Sequence, residues 1–269
     1  MSEVQISTPR GIMLAGDFVD PVDSHGATVL FAHGFLTDRH SVGWFDRFAK
    51  SYRSAGYATL QIDLSGCGNS EDDVITLAHA AEDLRAASSW LTDQGFPVQV
   101  IHGHGWGASA AIKADAPDVR AIFASSPILG SRDNDWSRVF SEKQLTQLEQ
   151  VGHTVIPNDA CDPAIQPCRD HYLISKQTLA DLTLTDPEEL CEGLEVPVLI
   201  VHDVTDYDGG LAADSTEALK YMPEGSQVRT FSESNFIKGP EAQTGGFSDE
   251  VELALAWLQR HTADAAAGA

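Results

Sequence analysis

Val98-Gln99-Val100-Ile101-His102-Gly103-His104-Gly105-Trp106-Gly107-Ala108-Ser109-Ala110-Ala111-Ile112 is the stretch from which the rest of the chain is read. Val98–Ile101 is an apolar run of strand length, and the alanine-rich Ala108–Ile112 suits the start of a helix. Between them, glycine recurs at 103, 105 and 107. Strand, tight turn and helix in succession leave backbone N–H groups at a helix N-terminus, where negative charge is well received.

Outward from that turn, the flanking segments alternate in type. Val4–Ser7 and Gly11–Phe18 read as an antiparallel ribbon, and the near-continuous apolar run Ala27–Ala32 as a strand buried on both faces. Val42–Ala55 carries Phe45, Phe48, Ala49 and Tyr52 at helical spacing and stops at Gly56. Tyr57–Asp63 is a strand, Ile75–Leu91 an amphipathic helix and Val119–Ala124 a further strand. After an irregular stretch, Val196–Val201 and Gln227–Phe231 read as strands, and Leu211–Met222 and Asp249–Arg260 as helices. This order predicts an α/β fold with a doubly wound, mostly parallel sheet. Residues 1–124 and 187–264 form its core, 125–186 an inserted helical cap of loops and short helices, and 265–269 a flexible tail.

Composition narrows the function classes. Asp plus Glu number 40 against 17 Lys plus Arg, a net charge of −23. Such a surface repels nucleic acid and anionic membrane, neither of which is expected as a partner. No apolar run approaches the ~18 residues needed to cross a bilayer, and Met1–Ile6 has neither the basic nor the apolar region of a signal peptide. A soluble, cytoplasmic protein is the expectation. Cys67, Cys161, Cys168 and Cys191 are irregularly spaced and read as free thiols. Cys161 and Cys168 are close enough in sequence for a loop-closing disulfide, but with His171 they match no standard zinc spacing. No metal and no cofactor is expected.

Four segments, in chain order, together resemble the α/β-hydrolase superfamily, most of all small bacterial serine esterases and acyl-hydrolases with a modest cap. His33-Gly34-Phe35 is similar to the oxyanion loop, and Asp63–Ser70 to the D-x-x-G-x-G-x-S turn of these proteins. His102–Gly107 resembles the G-x-S-x-G nucleophile elbow, and Val198–Asp206 the strand and loop that carry the triad acid. The resemblance spans about residues 10–260 and implies the α/β-hydrolase fold. It also implies an oxyanion hole built from the backbone N–H groups of Phe35 and Trp106, and a triad acid at Asp206.

The departures from that pattern matter as much. Gly105 stands where the family carries its serine, and Ser234, in Phe231-Ser232-Glu233-Ser234-Asn235-Phe236, stands where it carries its histidine. Acyl transfer by this route needs an oxygen nucleophile deprotonated by a placed imidazole, so serine-type hydrolysis is not expected. Ser109, one turn into the helix, reads as a small packing residue; Cys67 has no imidazole placed to activate it. His33 and His104 read as structural buried histidines, His104 being also a candidate catalytic residue beside Asp206. His153 and His171, in the cap, are candidate replacement acids or bases.

Three functions fit these residues. The first is a cofactor-independent, non-hydrolytic enzyme of lyase, isomerase, dehydratase or cyclase type, acting on a small carbonyl-containing substrate through the retained backbone hole. The second is a catalytically dead hydrolase that binds a small ligand or a protein partner. The third is hydrolysis by a water or a relocated nucleophile.

Overall fold

The computed structural model describes residues 2–159, 161, 169–203, 210–231 and 245–263. Its strands are β1 (Ser2–Ser7), β2 (Met13–Val19), β3 (Ala27–Ala32), β4 (Ala58–Ile62), β5 (Val98–His104), β6 (Val119–Ser125), β7 (His153–Pro157), β8 (His171–Ser175), β9 (Val198–Asp203) and β10 (Gln227–Phe231). The helices are α1 (Trp44–Ser54), α2 (Leu77–Asp93), α3 (Trp106–Ala114), α4 (Glu142–Gln150), α5 (Lys176–Thr183), α6 (Pro187–Leu190), α7 (Leu211–Ala218) and α8 (Gly245–Thr262).

Among the described residues the main sheet has eight strands in the order β1-β2-β4-β3-β5-β6-β9-β10. The β1–β2 and β2–β4 pairs are antiparallel, and the pairs from β4 to β10 are parallel. The two-residue period of a strand divides its apolar side chains between two cores. Leu30 and Ala32 of β3, Ile101 of β5 and Ile200 of β9 pack with residues of α2 and α3 on one face. Val29, Phe31, Val100, Leu199 and Val201 pack with residues of α1 and α8 on the other. All six residues of β3 are buried, as the unbroken apolar run predicts for a strand covered on both sides. The sheet is therefore doubly wound and mostly parallel. No helix among the described residues is long and apolar enough to cross a membrane.

Two local expectations are corrected. The segment between β6 and β9 contains helices, but also an antiparallel ribbon of β7 and β8. His171 opens a strand, because the run alternates with Tyr172 and Ile174 buried and the residues between them half-buried; the helix starts only at Lys176, capped by Ser175. Leu211–Met222 is likewise shorter than read: α7 ends at Ala218 and a single 3-10 turn, Leu219–Tyr221, follows. Met222, which precedes Pro223, is extended, as steric clash with a following proline ring demands.

The segment between β6 and β9 is tied to residues 74–77. Val74 bridges to Leu173, and the Ile75 N–H donates to the Leu173 carbonyl at 3.1 Å. The Leu77 N–H donates to Asp181 Oδ2 at 2.7 Å, and Thr178 Oγ1 donates to the Ile75 carbonyl. These bonds set β8 and α5 beside the start of α2.

Candidate active site

The three glycines where β5 turns into α3 face two kinds of environment. A Cβ at Gly103 would lie 2.5 Å from Ala108 Cα, and one at Gly107 would lie 2.2 Å from the Ala32 carbonyl oxygen. Neither neighbour is a side chain that could move aside, so α3 can sit this close to β5 and β3 only over glycines. Gly105 differs: its φ is +52° and ψ −117°, and no atom among the described residues lies within 4 Å of where its Cβ would stand. The tip of the turn therefore holds a backbone conformation hostile to L side chains, with no neighbour among the described residues.

Backbone bonds hold that tip. The Gly105 N–H donates to the Ser125 carbonyl at 2.8 Å, and the Gly105 carbonyl accepts from the Ala108 and Ser109 N–H groups, each at 3.1 Å. Ser109 Oγ donates to the Ile128 carbonyl and accepts the Ile128 N–H, both at 2.9 Å. Ser109 thus fastens α3 to the segment after β6 and does more than fill space. Trp106 is the first residue of α3, so its N–H has no acceptor within the helix.

The loop after β3 approaches the turn from the side. A Cβ on Gly34 would lie 3.3 Å from His104 Cδ2. His33 is fully buried and bridges two loops: its Nε2 accepts the Leu64 N–H at 2.9 Å, so its Nδ1 carries the proton and donates to the Gly34 carbonyl at 2.8 Å. Burial lowers its pKa, against the pull of Asp63, which keeps the ring in that neutral tautomer. Leu36 follows Phe35 with φ +54°, a strained setting for leucine. Phe35 and Trp106 meet with ring centroids 5.3 Å apart. With His33, Cys67, Ile75 and Ala80 they line a narrow cavity whose space for a water's centre is about 10 Å3, room for about one water.

The glycine-rich turn Asp63–Ser70 is built around its first residue. Asp63 accepts from the Arg39 N–H at 2.7 Å, Arg39 Nη1 at 2.6 Å and the Asn69 N–H at 2.8 Å. A Cβ at Gly68 would collide with the Asp63 carboxylate, 2.2 Å from its Cγ. Ser70 Oγ donates to the Asp63 carbonyl and accepts the Ala15 N–H. These residues brace the floor beside the cavity.

The remaining sequence candidates separate clearly. His104 ends β5, close to the Gly34 backbone, and loss of water around its ring lowers its pKa to about 4; it is neutral near pH 7. Cys67 lines the cavity as a free thiol, but burial pushes its pKa up to about 12, so it is no thiolate nucleophile. His153 is exposed on β7, and His171 on β8 bonds to Asp170. The proposed triad positions Asp206 and Ser234 lie outside the described residues. Of the cysteines, Cys67 and Cys191 are free and buried. Cys161 is disulfide-bonded, which corrects the free-thiol expectation for it and occupies the sulfur a metal would need; Cys168 lies outside the described residues. No cluster among the described residues could hold a metal ion.

One group was not anticipated. Glu250 on α8 is 7% exposed, and Ser125 Oγ donates to its Oε1 at 3.1 Å. In the sequence it is one more acid on the polar face of an amphipathic helix, and nothing local marks it for burial.

The chain was compared with known proteins. A model of the alpha/beta hydrolase family matches residues 29–225. The fold is similar to that of DcsB in complex with its substrate analogue (18% identity, TM-score 0.76, covering 97% of this chain and 99% of that one). It is also similar to the alpha/beta hydrolase GrgF from Penicillium sp. sh18 (19% identity, TM-score 0.75, 97% and 99%). The esterase domain of a Rhodothermus marinus protein is similar at 20% identity and TM-score 0.64, covering 97% and 98%. No curated protein matches the chain. At these identities the structural likeness is one of fold.

Proposed function

The chain belongs to the alpha/beta hydrolase family, and on that premise we propose that it is a cofactor-independent, non-hydrolytic enzyme acting on a small carbonyl-containing substrate. The observation that carries the reading is Gly105: a tip at φ +52° with no atom of the described residues within 4 Å of where a Cβ would be, at the N-terminus of α3. Family resemblance puts the nucleophilic serine there and the general-base histidine at Ser234, so no acyl-enzyme forms by that route. A substrate carbonyl takes the vacated space and lies against the turn itself. The N–H groups of Phe35 and Trp106 then face the oxygen as it gains negative charge, which is the larger part of what such a hole supplies. Proton transfer falls to Asp206, to His104 or to a cap histidine, His153 or His171. Reactions that pass through an enolate or a related anion, such as elimination, isomerisation or ring closure, need no more than this.

The lack of a reactive side chain at Gly105, beside a Cys67 thiol held protonated by burial, supports a second reading, a hydrolase relic that binds a small ligand without changing it.

The test has two parts. Purified protein is assayed with p-nitrophenyl esters and an active-site fluorophosphonate; the expected result is neither turnover nor labelling, and either one would sink the non-hydrolytic reading. Benzoate, a small anion with a planar oxygen pair, is titrated while backbone amides are followed by NMR. The Phe35 and Trp106 amides should shift together, and a Gly105→Phe variant should lose the response. Shifts confined to other residues would remove the oxyanion hole from the account. Once a substrate is in hand, unchanged turnover in Asp206→Asn, His104→Gln, His153→Gln and His171→Gln would remove those residues from proton transfer.

A further inference from the structure

We propose that Glu250 is a positioning residue for the elbow, acting through Ser125. A glycine adopts positive and negative φ with similar ease, so the unusual shape at Gly105 must be imposed by whatever grips its backbone. The carbonyl side is held as in any helix start, by the Ala108 and Ser109 N–H groups. The N–H side rests on one acceptor, the Ser125 carbonyl. Ser125 closes β6, and its own hydroxyl donates to the buried Glu250 carboxylate at 3.1 Å. A carboxylate accepting from a hydroxyl makes a stronger, more directional bond than a neutral partner would. The grip on Gly105 therefore runs back through Ser125 to an acid on α8.

Tyr52, on α1, has its phenol pKa raised well above the usual value, by burial first and by the nearby Glu250 charge second. Tyr52 also bonds to His102 Nδ1 at 2.9 Å, under Gly103. A carboxylate buried against β6 costs stability unless it is well bonded, and the Ser125 hydroxyl supplies one such bond.

The inference rests on the reading of the elbow as the reacting site, and its test needs no ligand. Amide hydrogen exchange is measured by NMR in wild type, Ser125→Ala, Glu250→Ala and Glu250→Gln. Exchange at Gly105 should quicken about tenfold in Ser125→Ala and Glu250→Ala, the size expected for losing a bond to a charged group. Val100 and Ile101, deep in the same strand, should not change. Glu250→Gln, which keeps an acceptor oxygen without the charge, should restore most of the protection while still moving the Gly105 amide shift. If Glu250→Ala fails to fold, the Gly105 shift in Glu250→Gln decides. Unchanged Gly105 behaviour, or loosening of Val100 and Ile101 in step with it, overturns the proposal. Silence of benzoate in wild type with this exchange pattern intact would count against the proposed function alone.

Discussion

Gly107 and Gly105 are two residues apart and obey opposite constraints. At Gly107 a methyl group would strike the backbone carbonyls of Ala32 and His33, at 2.2 and 2.3 Å. At Gly105 it would meet nothing among the described residues, and only the backbone angles oppose it. The first glycine is required by packing: it lets α3 lie on β3. The second is opposed by its backbone angles and by no contact among the described residues. Close packing and turn conformation are therefore separate demands, made on two glycines only two residues apart.

The largest effect should come from Gly107→Ala. Backbone oxygens cannot swing away, so the variant should lose more than about 3 kcal/mol or fail to fold, read by chemical denaturation. Wild-type stability would mean that α3 does not press on β3 as described.

Acid should come next. An unfolded histidine takes a proton below about pH 6.5, whereas folded His104 does so only near pH 4 and His102 near pH 3. The unfolded chain then binds more protons, so stability is intact above about pH 6.5 and falls as pH drops toward 4. A thermal melt series at constant ionic strength reads this, and His104→Gln should flatten part of the slope.

Gly105→Ala should cost less than Gly107→Ala, about 1–3 kcal/mol from the left-handed backbone alone. Equal losses in the two variants would erase the contrast between them. The smallest effect is expected of Gly105→Ser in a p-nitrophenyl ester assay: no gain of turnover, because Ser234 supplies no imidazole. Adding Ser234→His is the change that should start to restore it, and restoration by Gly105→Ser alone would place an unrecognised base at the site.

Some of this was legible in one dimension. Apolar runs such as Ala27–Ala32 announce doubly covered strands because their side chains have no polar face to turn outward. The recurrence of glycine at 103, 105 and 107 marks a turn under steric pressure. The strand His171–Ser175 was missed within a stretch read as loops and short helices, because a five-residue alternation is too short to stand out beside the helix that follows from Lys176. Ser109 was read as filler because its bonds to Ile128 depend on where the chain returns after β6.

Sequence alone determined the chain order of the eight main-sheet strands and the place of the glycine turn between β5 and α3, because periodicity and glycine spacing are local and survive without tertiary contacts. Tertiary structure alone decided that Gly105 meets no neighbour among the described residues while Gly107 is walled in by β3. It also decided that Cys67 is buried out of thiolate reach and that an acid from α8, distant in the chain, lies behind the elbow. The physical reason is that exposure, desolvation and long-range hydrogen bonds are properties of neighbours, which a chain acquires only on folding.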